Sequence, residues 1–178
     1  MTDSTTTRMV GVALPTLREL RSAILAGSDP GAAVNALREA GYAGGDDVFA
    51  AFEQWLSESD DSASADTGDL ALDEFGAKAA QFFRAAGWGD VTFTPDDAEG
   101  VAIVDIANCW ESGDGGSQGT GCQITTGLLA AFFGRVAGYP VAVLETECCD
   151  GDGSRCRFLL GNADVMSYKW QELQQTLS

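Results

Sequence analysis

The sequence predicts an α+β fold, in which an antiparallel sheet of about four strands packs against helices. Apolar residues recur with helical spacing in six segments, and short strand-like runs occur in four others. The four runs form two pairs, each joined by a turn-forming stretch, with one helix between the pairs. A chain of 178 residues with 45% hydrophobic residues is long enough to bury a proper core.

Residues 1–56 are predicted to form a helical segment. The first helix covers residues 10–25 and has an apolar face; two more, 31–40 and 46–56, are separated at Gly41. Because a segment this short makes a thin core, we expect it to pack on the remaining chain or on a second copy. We therefore predict a homodimer, with contacts from three aromatic residues: Phe49, Phe52 and Trp55.

An acidic, low-complexity stretch, residues 57–69, is predicted to be a linker to the main domain, residues 70–178. That domain begins with a helix over 70–86 and a strand pair over 91–94 and 101–106. A helix with apolar residues up to Val136 follows and should end at Gly138 and Pro140. A second strand pair, 141–145 and 156–160, and a final helix, 164–177, complete it.

Three cysteines and a glutamate mark the second half of this domain. Cys122, Glu145, Cys148 and Cys156 follow one another at intervals of 23, 3 and 8 residues. One cysteine stands before the helix and the other two flank the turn of the second strand pair. Thiolates with one carboxylate are a competent zinc ligand set. Buried structural cysteines are the alternative; disulfides are a third, and they are rare in the cytosol.

The stretch C-x3-TGLLAAFFGRVAG-x-PVAVLETEC-x7-CRF resembles the 4-vinyl reductase (hydrocarbon-binding) domain family. The family includes the sensor domains of phenol- and xylene-responsive transcription regulators. The resemblance is sharp over residues 121–160 and looser over 70–120. It implies the same α+β fold, which is shared with nitric-oxide sensors and vesicle-tethering subunits. It also implies that residues 70–178 form a small-molecule-binding domain.

In the phenol-sensing members, three cysteines and a glutamate at this spacing hold zinc. Carried over, these ligands are Cys122, Glu145, Cys148 and Cys156, which would form a structural zinc site. Cys149 should point away from Cys148 if strand geometry persists, and Cys109 should remain free.

The resemblance further implies an apolar cavity between the sheet and the helices. Trp110 aligns near a tryptophan that contacts the ligand in those relatives, and Phe82 or Phe83 lies near the place of a ligand-contacting histidine. The absence of that histidine favours a more apolar guest than phenol. Further lining residues are predicted from the helix and the strand beside it: Thr126, Phe132 and Val143. Ordinary core packing is the alternative for the aromatic residues.

The sequence favours a non-catalytic binding or sensing protein. It contains no histidine, the commonest general base near neutral pH, and no dinucleotide-binding fingerprint follows a strand. Alternatives are an accessory subunit of a tetrapyrrole vinyl reductase or similar enzyme, and a tethering or scaffold module. The output of a sensor would pass to a protein effector.

The chain carries 27 acidic residues against 10 basic ones, for a net charge of −17. This charge repels phosphate backbones, so we expect no direct nucleic-acid binding. Scarce lysine with abundant acids resembles haloarchaeal proteins, and we favour solvation in a high-salt cytoplasm over an acidic partner surface. No apolar run is long enough to span a membrane, and the first residues lack signal-peptide features, so we predict a cytoplasmic protein.

Overall fold

A computed structural model describes residues 10–59, 67, 70–96, 100–112, 121–148 and 155–176. These residues form five α-helices and four strands. In chain order they are α1 (Leu14–Leu25), α2 (Pro30–Ser59), α3 (Leu72–Ala85), β1 (Asp90–Asp96), β2 (Val101–Ala107), α4 (Gln123–Ala137), β3 (Ala142–Glu147), β4 (Arg155–Gly161) and α5 (Ala163–Thr176). No helix in the described ranges is both long and apolar enough to cross a membrane.

The four strands form one antiparallel sheet in the order β1-β2-β4-β3. Val104 lies at its centre, opposite Phe93 on β1 and Phe158 on β4. The predicted α+β class and the four-stranded antiparallel sheet are therefore confirmed. The strands extend slightly beyond their predicted ends, and β1 runs through Pro95. A proline is tolerated there because β1 is an edge strand.

Alternation along β2 and β4 separates a buried face from a polar one. Val104, Ile106 and Phe158 enter the core against the helices. On the opposite face, Arg157 donates two hydrogen bonds to Asp105, at 2.8 and 2.9 Å. These bonds, together with the nearby positive charge, hold the pKa of the Asp105 carboxyl below its usual range despite partial burial.

The predicted break at Gly41 is wrong, because α2 is one continuous helix of 30 residues. The glycines allow α2 to approach α4 closely instead of ending a helix. A Cβ on Gly41 would collide with the backbone of Ile124, and one on Gly45 with the side chain of Ala131. A Cβ on Gly127 of α4 would likewise collide with the carbonyl oxygen of Arg38.

The close approach places α2 in the main hydrophobic core. Phe49 and Phe52, two of the three aromatic residues predicted to meet a second copy, are buried inside the chain, and Trp55 is half-buried against the same core. The predicted dimer contacts of Phe49 and Phe52 are therefore wrong, because their apolar surface is covered within the chain, whereas that of the half-buried Trp55 stays a prediction. Helix α2 also includes residues 57–59 of the predicted linker. The other linker residues, 60–69, lie outside the described residues apart from Thr67.

Helix α1 differs from its predicted arrangement. Leu14, Leu20 and Ile24 were expected on an inward apolar face, but all three are exposed, whereas Arg21 is buried. The reason is a buried acidic partner on a distant loop, as shown below. In α4, by contrast, the predicted end is confirmed: Gly138 caps the helix with a left-handed backbone, at φ 72°.

Gly127→Ala tests the α2–α4 approach. We expect the free energy of unfolding to fall by roughly 1–3 kcal/mol, because the added methyl group overpacks the interface against the backbone of α2. Gly44→Ala is the matched control, since it lies on the same α2 helix with no atom within 4 Å of the added Cβ. It should leave stability unchanged or raise it by up to about 1 kcal/mol. Urea denaturation measures both, and equal effects would contradict the packing argument.

Candidate functional site

A cluster of four potential metal ligands lies where the N-terminal end of α4 meets the β3–β4 hairpin. Cys122 is the N-cap residue of α4, Glu145 lies on β3, Cys148 follows β3, and Cys156 lies near the start of β4. One ligand atom from each lies within 4.8 Å of all the others. Residues far apart in sequence thus form a group that can hold a metal ion.

The sulfur separations match those of a tetrahedral zinc site. Cys122 Sγ lies 3.6 Å from Cys156 Sγ and 3.8 Å from Cys148 Sγ. Two zinc–sulfur bonds of about 2.3 Å at the tetrahedral angle place the sulfurs about 3.8 Å apart. No disulfide joins the four cysteines whose positions are described, all of which are free thiols. Cys149 lies outside the described residues, so its predicted orientation stays a prediction.

The two carboxylate oxygens of Glu145 differ in their hydrogen bonding. Its Oε2 accepts a hydrogen bond from the backbone N–H of Cys122 at 2.7 Å. Its Oε1 is buried and has no hydrogen-bond partner among the described atoms. Burial raises the pKa of this carboxyl. Because an unpaired buried oxygen is unfavourable, a cation bound by Oε1 would satisfy it.

The approach of Glu145 to α4 depends on Gly121. This glycine has φ 65°, which L side chains rarely adopt, and a Cβ there would collide with the Glu145 carboxylate. Any larger residue at position 121 would therefore displace the carboxylate from the cluster.

Crowding and burial raise the pKa of the thiols of Cys122 and Cys148. Hydrogen bonds with Cys109, Cys148 and Cys156, together with burial, raise the pKa of Cys122. For Cys148, a hydrogen bond with Cys122 lowers the pKa, but a hydrogen bond with Cys156 and burial outweigh it, and the pKa is raised. Crowded thiols of this kind need a bound cation to become thiolates.

Cys109 is a further buried thiol beside the cluster. Its sulfur lies 3.9 Å from Cys122 Sγ and 3.9 Å from Thr125 Oγ1. A hydrogen bond with Cys122 lowers its pKa, but a hydrogen bond with Cys156 and burial outweigh it and raise the pKa to about 12. Cys109 is not part of the group whose ligand atoms are all mutually close.

A buried ion pair that the sequence pattern did not indicate lies beside this cluster. Arg21 on α1 donates to Glu111 Oε1 at 3.1 Å, across 90 residues. Glu111 also accepts the backbone N–H groups of Ile124 and Thr125, at 3.0 and 2.8 Å. The sequence signal was slight: an arginine within the α1 pattern, and a glutamate at the start of the Gly-rich loop, residues 111–121.

The structure brings together two of the five predicted ligand-binding residues. Phe82 and Phe132 are buried in an aromatic cluster, and the rings of Phe52 and Phe83 contact both. The centroids of Phe83 and Phe132 are 5.1 Å apart. Thus the predicted wall residues pack against other aromatic rings.

The other three residues have different surroundings. Trp110 packs edge-to-face on Trp88, with ring centroids 5.7 Å apart, and its Nε1–H is buried with no hydrogen-bond partner among the described atoms. Thr126, predicted as a polar anchor, donates its hydroxyl to the carbonyl of Cys122 at 2.8 Å. Val143 is half-buried against the core. Trp110 is therefore the residue with an unused polar group.

Two open grooves occur on the described surface. One, of about 580 Å³, lies between α3 and β1 and is lined by Leu72, Gly76, Ala80, Phe93 and other residues. The other, of about 370 Å³, is lined by residues of α2 and the end of α4, including Tyr42 and Tyr139. None of the five predicted ligand-binding residues lines either groove.

No family model matches the sequence, and no curated protein matches it. Among solved structures, the chain is similar to the phenol-responsive sensory domain of the transcription activator PoxR, crystallised with phenol. The TM-score is 0.60 and the identity 14%, covering 90% of this chain and 82% of that one. At this identity the similarity shows a shared fold.

A weaker similarity is to a vinyl-4-reductase family protein from Methanocaldococcus jannaschii. Its TM-score is 0.36 at 14% identity, covering 85% of this chain and 96% of that one. The expected fold is confirmed by the similarity to the phenol-responsive sensory domain.

Elemental analysis of the purified protein is expected to give about one zinc per chain. Cys148→Ser should lower the zinc content, whereas Cys109→Ser, the control, should retain it. With zinc at 100 times its dissociation constant, the melting temperature should exceed that of chelator-treated protein by roughly 5–10 °C. Less than half an equivalent of zinc in carefully purified protein would count against the site.

Proposed function

We propose that the protein is a non-catalytic, zinc-containing protein that binds or senses a small apolar or aromatic molecule. The observation that carries the proposal is the four-ligand cluster, whose Glu145 Oε1 is buried and unpaired. The shared fold with a phenol-responsive sensory domain supports the sensing part of the proposal.

Zinc fits the donor set better than other common metals. Three sulfurs and one carboxylate oxygen form a soft, four-coordinate set, whereas calcium and magnesium prefer oxygen ligands alone. Cys122, Glu145, Cys148 and Cys156 would each supply one bond and leave no open position. Such a site is structural: it would join α4 to the β3–β4 hairpin.

A non-catalytic role is consistent with the residues around the cluster. The chain contains no histidine, so the usual imidazole base and the Ser-His or Cys-His nucleophile pairs are absent from its sequence. A zinc ion with four protein ligands would also have no position for a reacting water molecule.

Trp110 is proposed as the polar anchor of the ligand site. Its buried Nε1–H has no acceptor within the described part of the chain, so a guest with a hydroxyl or carbonyl oxygen would satisfy it. Phe82, Phe132 and Val143 would supply apolar wall, and Thr126 would hold the first turn of α4 through Cys122. Because the rings around Phe132 are closely packed, these side chains must move to admit a guest.

A tethering or scaffold module is the second candidate. The specific observation in its favour is the packing of the aromatic cluster. Phe132 has four aromatic neighbours with ring centroids 5.1–5.6 Å away: Phe49, Phe52, Phe83 and Phe133. A module that binds no ligand needs no cavity, and these aromatic side chains fill the region around Phe132 themselves.

Homodimerisation remains part of the proposal, with a different surface from the one expected from sequence. Val12, Leu14, Leu20 and Ile24 of α1 and the residues before it are exposed apolar side chains. A second copy packed on this face would remove them from water.

Binding of phenol and toluene tests the proposed anchor. Phenol should bind more tightly than toluene by about 2–12-fold, which is the contribution of one hydrogen bond of 0.5–1.5 kcal/mol. Trp110→Phe keeps an aromatic ring but removes the N–H, so most of this preference should disappear. Trp170→Phe is the control, because Trp170 lies on α5 and is half exposed. Calorimetry measures the affinities.

Zinc removal should weaken binding of the same probes, because the metal would fix the hairpin that carries Val143 against α4. If neither phenol nor toluene nor a series of larger hydrocarbons binds zinc-loaded protein or raises its melting temperature, the sensing proposal is wrong. The tethering candidate would then take its place.

Leu20→Glu tests the dimer surface. Leu20 is 57% exposed, so a charge there should leave the fold intact but prevent association. Leu72→Glu is the control, because Leu72 is similarly exposed on α3 at 52%. Light scattering should show a dimer for the original protein and the control, and a monomer for Leu20→Glu. A monomer for all three, in both high and low salt, would exclude the dimer.

A further inference from the structure

The inner face of helix α1 has a charged residue at its centre. Arg21 is the buried residue of α1, and Leu17, Arg18 and Leu25 on the same face are half-buried. Leu14, Leu20 and Ile24 are exposed. A surface helix usually docks through an apolar stripe. Because the stripe of α1 is narrow and Arg21 lies within it, the contacts of Arg21 contribute to the docking of this helix.

Arg21 contacts two points next to the metal-ligand cluster. Its Nε donates to Glu111 Oε1 at 3.1 Å, and one terminal nitrogen donates to the carbonyl of Gly121 at 2.6 Å. The side chains of Arg21 and Glu111 are 8% and 0% exposed. Removing either side chain would take a buried ion pair from the other charge, which is strongly unfavourable.

Glu111 performs the capping that the N-cap residue of α4 does not. That residue is Cys122, whose side chain makes no capping hydrogen bond. The carboxylate of Glu111 accepts the N–H groups of Ile124 and Thr125 instead. The Cys122 sulfur is thereby left to face Cys148 and Cys156.

The two residues thus fix the backbone on both sides of Cys122: Arg21 holds the carbonyl of Gly121, and Glu111 holds the two N–H groups that follow Gln123. We propose that Arg21 and Glu111 are positioning residues for the metal ligand Cys122, and that they make docking of α1 and zinc binding mutually dependent. The inference rests on the zinc site proposed above. By thermodynamic linkage, if docked α1 favours zinc binding, zinc favours docking of α1 by the same factor.

The zinc affinity of Arg21 and Glu111 variants tests whether these two residues position Cys122. Competition with a chromophoric chelator should show that Glu111→Gln and Arg21→Met weaken zinc binding by about 10-fold or more, as is usual for residues that orient metal ligands. Arg21→Lys keeps the charge and should recover part of the affinity. Arg84→Met is the control: it removes an exposed ion pair with Asp90 that touches none of the four ligands.

Hydrogen exchange of the α1 amides, with and without zinc, tests the mutual dependence. Zinc should slow exchange over residues 14–25 in the original protein, and this effect should be largely lost in Arg21→Met. If Arg21 only stabilised the fold, Arg21→Met would change the exchange rate of the α1 amides by the same factor with and without zinc. The Arg84→Met control should keep the zinc effect.

The outcomes separate the two proposals. If the original protein binds no zinc, the zinc site and this inference both fail. If it binds zinc but α1 exchanges at the same rate with and without the metal, only the mutual dependence fails. If Glu111→Gln, or an Arg21→Met protein that folds, binds zinc as tightly as the original protein, the positioning role fails. The measurement on the original protein needs no variant, so it decides the matter even if Arg21→Met does not fold.

Discussion

The N-terminal end of α4 is the constraint on which the site depends. The first N–H groups of a helix lack intrahelical partners, and here they are largely buried. Two carboxylates meet this need: Glu145 accepts the N–H of Cys122, and Glu111 accepts those of Ile124 and Thr125. A buried carboxylate in turn requires a positive charge. Arg21 supplies it for Glu111, whereas Glu145 Oε1 has no partner among the described atoms. The asymmetry explains why a cation fits beside Glu145 and not beside Glu111.

Sequence and resemblance together predicted the strands and the cluster, but not the contacts between distant segments. Alternation around Val104 and Phe158 is local information, and so is the Gly138 helix end. Gly41 was misread as a helix stop because its reason lies in another helix: it meets the backbone of Ile124. Arg21 was overlooked because its partner is 90 residues away. Hydrophobic periodicity shows which face of a helix is apolar, but it does not show which charged residue forms a buried ion pair with a distant segment.

The net charge of −17 gives the few cations particular importance. Of the 10 basic residues, Arg18, Arg21 and Arg38 all bind the segments on either side of the Gly-rich loop. Arg18 donates to the carbonyl of Trp110, and Arg38 donates to Gln123 Oε1 at 2.6 Å. Salt screens exposed charges far more than buried ones. In a concentrated salt solution, surface pairs such as Arg84–Asp90 would weaken, whereas the Arg21–Glu111 pair, shielded from solvent, would retain most of its strength.

These contacts also connect the proposed metal site with the proposed ligand site. Cys109, Trp110 and Glu111 are consecutive: the first has its sulfur 3.9 Å from that of Cys122, the second has an unpaired N–H, and the third caps α4. A guest that accepts the Trp110 hydrogen bond must displace packed side chains, and the backbone that carries Trp110 is held by Arg18. Any movement of this tripeptide would therefore act on α1 and on Cys122 together. In the proposed sensor no direct bond between metal and guest would be needed, because this tripeptide contacts Cys122 on one side and would contact the guest through Trp110 on the other.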